Sequence, residues 1–168
     1  MIIIRAVKKE EAEKLMHLIK NVENQSEFML MEPGERQMTL EKQIKMIERF
    51  ESQENAVILT AEKDGIMIGY LFALGGSAKR TRHSAYLAVG ILKEFRGQGA
   101  GTSLFEAVEE WAGKHGISRL ELTAVTGNTL GIGLYKKRGF EVEGTKRNSL
   151  NINGDFHDEY YMSKLLNG

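Results

Sequence analysis

Arg96-Gly97-Gln98-Gly99-Ala100-Gly101 carries more structural information than any other segment of this 168-residue chain. An apolar, strand-like run (Tyr86 to Leu92) precedes it, and a helix-like run (Thr102 to Lys114) follows. A glycine-rich turn from strand to helix lets backbone N–H groups crowd around a phosphate. The helix start adds a partial positive charge and Arg96 a full one. The segment therefore reads as a pyrophosphate cradle, and the rest of the chain must say which pyrophosphate compound it holds.

Two nucleotide readings fit poorly. A dinucleotide fingerprint counted from Gly97 places Thr102 where a sixth-position glycine belongs, and three hairpin-like strands in succession break the alternating βαβ pattern. A Walker-type loop needs Gly-Lys-Ser/Thr, and here Gly101 is followed directly by Thr102.

Composition narrows the field. Lys+Arg and Asp+Glu balance at 23 each, so no global field recruits nucleic acid or an acidic membrane. With no cysteine, disulfides, thiolate metal sites and a cysteine nucleophile are all excluded. His17, His83, His115 and His157 match no zinc spacing, so no metal is expected. Met1 to Val7 is too short for a signal-peptide core, and no apolar run approaches the roughly 18 residues of a membrane span. These features imply a cytoplasmic protein that acts away from membranes.

Outward from the glycine turn, the pattern is regular. Met1 to Val7 reads as a strand, and Glu11 to Val22 carries Ala12, Leu15, Met16, Leu18, Ile19 and Val22 at helical spacing. Asn24 to Thr39 holds the only proline, in Pro33-Gly34, and reads as a loop or broken helix. Leu40, Ile44, Ile47 and Phe50 mark a second helix. Ala56 to Ala61, an Asp64-Gly65 turn and Ile66 to Leu74 form a hairpin. A polar connection (Gly75 to Arg82) leads to the strand Ser84 to Leu92; its basic run Lys79 to His83 reads as a solvated turn or as a contact for an acidic group. Beyond the glycine helix come a strand (Leu120 to Val125), a short helix (Thr129 to Lys137) closed by Gly139, and two last strands (Phe140 to Ser149 and Phe156 to Lys164) around Asn153-Gly154. The order is β-α-α-β-β-β-α-β-α-β-β. It predicts one α+β domain over residues 1–168, with a central mixed sheet of about seven strands between about four helices.

Arg96-x-x-Gly99-x-Gly101 resembles the acyl-CoA signature of the Gcn5-related N-acetyltransferase (GNAT) superfamily. Independently, Asn128-Thr129-Leu130-Gly131-Ile132-Gly133-Leu134-Tyr135, followed by Gly139-Phe140, resembles that superfamily's N-x-x-A-x-x-L-Y-x-x-x-G-F segment. Gly131 stands where alanine is common and Gly133 weakens the helix, with neither expected to touch the polar groups of the motif. The resemblance runs from Ile2 to about Leu166 and implies a three-layer fold.

It also implies acetyl-CoA as cosubstrate. The strands Tyr86 to Leu92 and Leu120 to Val125 would splay to admit the pantetheine arm, which backbone groups near Val89 and Ile91 would pair. The N–H groups of Gly97, Gln98, Gly99, Ala100, Gly101 and Thr102 would hold the pyrophosphate, with Arg96 as a charged contact or an exposed arginine. Asn128 matches a CoA-contacting position and is equally a favoured N-cap; Lys137 is a phosphate contact or a solvated lysine. Tyr135 matches the tyrosine that donates to the leaving thiolate, or else it packs under the next strand. An alkylammonium, with pKa near 10, must lose a proton before it attacks. Glu121, out of phase with Leu120 and Leu122, is one candidate base and His83 another; Glu32 and Glu35 are further ones, and relay through water needs none. Met31, Glu32 and Glu35 fall in the loop expected to cover the acceptor. The activity implied is acetyl transfer to a primary amine of a small molecule by direct attack. The rivals are a protein N-terminal or lysine acetyltransferase and a non-catalytic acyl-CoA sensor. Fold analogy adds a homodimer as an expectation.

Overall fold

The computed structural model describes residues 1–166. A seven-stranded sheet runs in the order β1-β2-β3-β4-β5-β7-β6. Its strands are β1 (Ile2–Ala6), β2 (Ala56–Lys63), β3 (Ile66–Gly75), β4 (Ser84–Ile91), β5 (Arg119–Val125), β6 (Glu141–Ile152) and β7 (Asp155–Leu165). Every neighbouring pair is antiparallel except β4 and β5. The helices are α1 (Ala12–Gln25), α2 (Leu40–Glu51), α3 (Ala100–Lys114) and α4 (Thr129–Lys137), so the expected element order holds throughout. No described helix is long and apolar enough to cross a membrane.

The apolar periods decide which face each helix covers. In α1 the spacing of Ala12, Leu15, Leu18, Ile19 and Val22 builds one stripe, and all five are buried. The α2 ring of Phe50 meets Phe72 of β3 at 5.9 Å, fixing both helices on one face of β1–β4. On the opposite face α3 buries Leu104, Phe105, Val108 and Ala112. Each large apolar side chain so buried contributes roughly 1.5–3 kcal/mol relative to exposure. Phe105 also stacks edge-on to Tyr135 of α4 at 5.7 Å and to Phe140 at 5.5 Å, which ties α4 and the start of β6 to α3.

Of the boundaries that differ from the sequence reading, two have a local reason that bears on the site. The α3 helix begins at Ala100, two residues before the expected Thr102, because Gly99 at φ +93° makes the turn and leaves Ala100 helical. The first helix runs on to Gln25, past the expected Val22. Its extra turn brings Glu23 under the following loop, where Arg36 grips the carboxylate through Nε at 3.0 Å and Nη2 at 2.8 Å.

Candidate active site

The parallel pair β4–β5 is joined only at its start: Ser84 opposes Arg119, Ala85 opposes Leu120, and Tyr86 opposes Glu121. Beyond that rung the strands part. Hydrogen bonds at the two ends of the β3–β4 ladder fix which backbone groups face the opening. Leu92 N–H donates to Ile68 O at 2.9 Å and Gly76 N–H to Ser84 O at 2.9 Å. Even-numbered residues of β4 are therefore bonded to β3, while the odd ones face β5; past the Tyr86–Glu121 rung, the C=O of Leu87 and both the N–H and C=O groups of Val89 and Ile91 have no strand to meet them. On the other side, Thr126 N–H donates to Asp158 O at 3.0 Å. That bond commits the even residues of β5 to β7 and turns the backbone of Thr123 into the fork. The fork thus exposes two unpaired strand edges inside a sheet, where buried polar groups are otherwise matched.

At the open end of the fork stands the N-terminus of α3. Gly97 and Gly99 have φ of +74° and +93°, and a side chain at either would meet nothing within 4 Å. Both glycines are required by backbone conformation, and the space in front of them is open. The first intrahelical bond runs from Ser103 N–H to Gly99 O, so the N–H groups of residues 97–102 have no acceptor among the described residues. Arg96 is exposed beside them and makes no ion pair with a described residue. Gly101 has a different job. A Cβ there would sit 2.7 Å from Leu134 Cδ2 and 3.3 Å from Ile91 Cδ1, so it lets α3, α4 and β4 pack together.

The α4 helix brings the second motif to the fork. Asn128 caps it, its Oδ1 accepting from Gly131 N–H at 3.1 Å. The side-chain amide Nδ2 of Asn128 makes no hydrogen bond with described residues. Contrary to the sequence expectation, Gly131 does touch a polar group of the motif. A Cβ at 131 would come within 2.5 Å of Asn128 Nδ2, so the cap lies flat against the glycine. Lys137 ends the helix exposed. Tyr135 is partly buried between Phe105 and Phe140, and its hydroxyl has no partner among the described residues. Burial, reinforced by the nearby Tyr86 phenol, pushes its pKa up to about 12. The hydroxyl is thus a proton-bearing donor at neutral pH.

On the α1–α2 side of the sheet, an open groove of about 430 Å³ starts at the root of the fork. Leu74, Thr81, His83, Ser84, Tyr86, Arg119 and Glu121 line it. The groove brings together the two base candidates, Glu121 and His83, from different strand ends; Met31, Glu32 and Glu35 are not part of its lining. Glu32 and Glu35 instead bond to one another, Glu32 N–H donating to Glu35 Oε1 at 3.1 Å. Glu121 is held by Arg119, whose Nε donates to Oε2 at 3.1 Å. The other edge of that guanidinium grips Glu143 of β6 at 2.6 and 3.0 Å. Bonding to Arg119, and then to Ser163, lowers the Glu143 carboxyl to about 2. Arg119 is itself raised, first by Glu143.

Sequence reasoning missed Arg119, Glu143, Tyr86 and Thr123. The Tyr86 hydroxyl lies 2.9 Å from Thr123 Oγ1, spanning the root of the fork. The alternation that singled out Glu121 applies equally to Thr123, two residues on. Arg119–Glu143 had no such signal, because a bulge between Val142 and Gly144 sets where Glu143 falls.

Comparison with known proteins agrees with this architecture. The model of the acetyltransferase (GNAT) family matches residues 19–140. The L-amino acid N-acetyltransferase AaaT of Escherichia coli (strain K12) is 30% identical over 119 residues, 70% of this chain and 74% of that protein. A GNAT-family acetyltransferase from Streptococcus pneumoniae superposes with a TM-score of 0.95 at 29% identity, over 99% of this chain and 100% of the other. A phosphinothricin acetyltransferase from Sinorhizobium meliloti, solved in complex with acetyl-CoA, shares the fold with a TM-score of 0.86 at 15% identity, over 98% and 88% of the two chains. By its family model, its relatives and its fold, this chain belongs to the GNAT family of N-acetyltransferases.

Proposed function

We propose that the chain moves the acetyl group of acetyl-CoA to a primary amine of a small molecule, by direct attack within a ternary complex. One observation carries the reading: a fork of unpaired backbone connects the free amides of residues 97–102 to a groove holding Glu121 and His83. The residues present suit acetyl-CoA. The open amides and Arg96 match a pyrophosphate. The free edges at Leu87, Val89, Ile91 and Thr123 match the amides of a pantetheine arm, as an added strand would. When bound, acetyl-CoA supplies an acetyl group activated as a thioester.

This chain's residues then divide the work. Gly97, Gln98, Gly99, Ala100, Gly101 and Thr102 hold the phosphates through their N–H groups; Lys137, exposed at the end of α4, adds a phosphate contact, and the free amide of Asn128, at its start, a cosubstrate contact. Tyr135 keeps its proton at neutral pH and gives a hydrogen bond to the leaving sulfur. Glu121 takes the amine proton, directly or through water, with His83 of the same groove as the second acceptor. Arg119 fixes the carboxylate that does so. Met31, Glu32 and Glu35 lie in the loop between α1 and α2 and do not line the groove, so they take no part in the proton transfer.

The relation to an L-amino acid N-acetyltransferase supports a small acceptor. Thiol release from acetyl-CoA tests it, with L-alanine, 1,4-diaminobutane and a short peptide bearing a free α-amine as acceptors. Faster turnover of either small amine is expected. Faster turnover of the peptide would point to a polypeptide acceptor, and binding without any thiol release would point to a sensor.

A further inference from the structure

Tyr86 occupies a position that the reading above leaves without a task. It is the last residue of β4 to pair with β5, it is 46% exposed, and it projects on the groove side of the sheet. Beyond it that face of β4 carries only Ala88 and Gly90. A Cβ at Gly90 would strike the Tyr70 ring at 2.6 Å, so nothing larger fits there. Tyr86 is therefore the last large side chain that β4 puts on the groove side before the open fork. Its ring reaches one step past the last paired rung, and its hydroxyl meets Thr123 Oγ1 at 2.9 Å. From the other side of the fork comes Tyr135. The two phenols are close enough for the charge of one to affect the other.

We propose that Tyr86, oriented by Thr123, positions the acceptor amine, its phenol oxygen accepting a hydrogen bond from an amine N–H. A tyrosine hydroxyl has one proton to give and lone pairs to receive with. With Tyr86 donating to Thr123, its oxygen is left to receive on the groove side. A neutral amine that gives one N–H to Tyr86 retains its lone pair, which then points past the ring into the fork. Tyr86 and Tyr135 so divide the reaction between them: Tyr86 aims the nucleophile and Tyr135 serves the leaving group. The inference rests on the acetyl-transfer reading and adds a residue pair to it.

The test uses Tyr86→Phe, Thr123→Val, their double variant and Thr123→Ser. For each, KM and kcat for L-alanine and 1,4-diaminobutane are measured by thiol release, and the acetyl-CoA Kd by calorimetry. Loss of one such hydrogen bond corresponds to a fall of about tenfold in kcat/KM for the amine. We expect that fall in Tyr86→Phe and Thr123→Val, an unchanged acetyl-CoA Kd, and near wild-type kinetics in Thr123→Ser. The double variant should be no worse than Tyr86→Phe alone, because both remove the same device. Wild-type kinetics in Tyr86→Phe, fully additive losses, or an equal loss of acetyl-CoA affinity would overturn the proposal. A wild-type protein that releases no thiol with either amine would instead overturn the small-amine acceptor reading on which the inference rests.

Discussion

Gly101→Ala separates packing from phosphate binding at the centre of the glycine turn. The added methyl lies 2.7 Å from Leu134 Cδ2 and 3.3 Å from Ile91 Cδ1. Ordinary contact between carbons is about 3.5–4.0 Å, so Leu134 must retreat by roughly 1 Å. Its methyl is the far end of a flexible side chain, which keeps the cost at the low end of the roughly 1–3 kcal/mol typical of overpacking. Replacing a helical glycine by alanine returns about 1 kcal/mol. The two nearly cancel, so the net change is close to zero and Tm should stay within about 2 °C of wild type for a chain of this size. The functional effect should be larger than the thermal one, because Leu134 adjoins Tyr135. We expect kcat for L-alanine or 1,4-diaminobutane to fall severalfold with the acetyl-CoA Kd within about twofold of wild type. Trimming the obstacle, in Gly101→Ala/Leu134→Val, should restore kcat. Calorimetry, thermal melts and thiol release on the two variants check this. A loss of acetyl-CoA affinity that Leu134→Val does not repair would refute the division of labour drawn between Gly101 and the positive-φ glycines.

Three further expectations follow from the same geometry. Tyr135→Phe should lower kcat by about 10²–10³, within the usual span of general acid catalysis, and leave acetyl-CoA binding intact. The raised phenol pKa has a second consequence. Between its unfolded value near 10 and about 12 the folded protein alone retains the proton. Stability must therefore fall as pH rises through that window, less steeply in Tyr135→Phe, as alkaline melts would show. At the acid end the sign reverses. Glu11 and Glu143 are lowered from 4.5 to about 2, chiefly by hydrogen bonds from Arg5 and Arg119. Their contribution is complete above about pH 4.5 and is lost as pH falls toward 2, so Glu143→Gln should flatten that limb of the stability curve. Finally, Arg36→Ala strands the Glu23 carboxylate, whose side chain is only 5% exposed. Removing one partner of a buried pair costs about 3–5 kcal/mol, here about 3 because the arginine is one-third exposed. The double variant Glu23→Gln/Arg36→Met should recover most of it in urea titrations.

How much of this was legible in the sequence depended on whether the signal was local. The turn at Gly97–Gly101, the cap at Asn128 and the helix that ends before Gly139 are all written within a few residues, and each stands where the sequence places it. The parting of β4 from β5 was also foreseen, through resemblance rather than periodicity. What local pattern could not supply was register. Glu121 faces the groove as alternation predicts, yet its partner Arg119 is shared with Glu143 across a bulge that no spacing rule reveals. Tyr86 reads in sequence as one more strand aromatic, and only the rung at which pairing stops gives it a place. Met31, Glu32 and Glu35 show the converse. Pro33-Gly34 located the loop correctly, but a loop's path over the sheet is set by tertiary contacts such as Glu23–Arg36, and it leaves those side chains outside the groove lining.

The central claim is that the fork and the amides of residues 97–102 hold acetyl-CoA. Isothermal titration of the wild-type protein and of Gly99→Glu with acetyl-CoA tests it most directly. The account predicts wild-type binding within the roughly 1 μM–1 mM range usual for enzyme substrates. In Gly99→Glu a strained backbone at φ +93° and a carboxylate facing the phosphates should reduce that binding by at least about tenfold. Equal affinity in the two proteins, or no heat from either at millimolar acetyl-CoA, would contradict it.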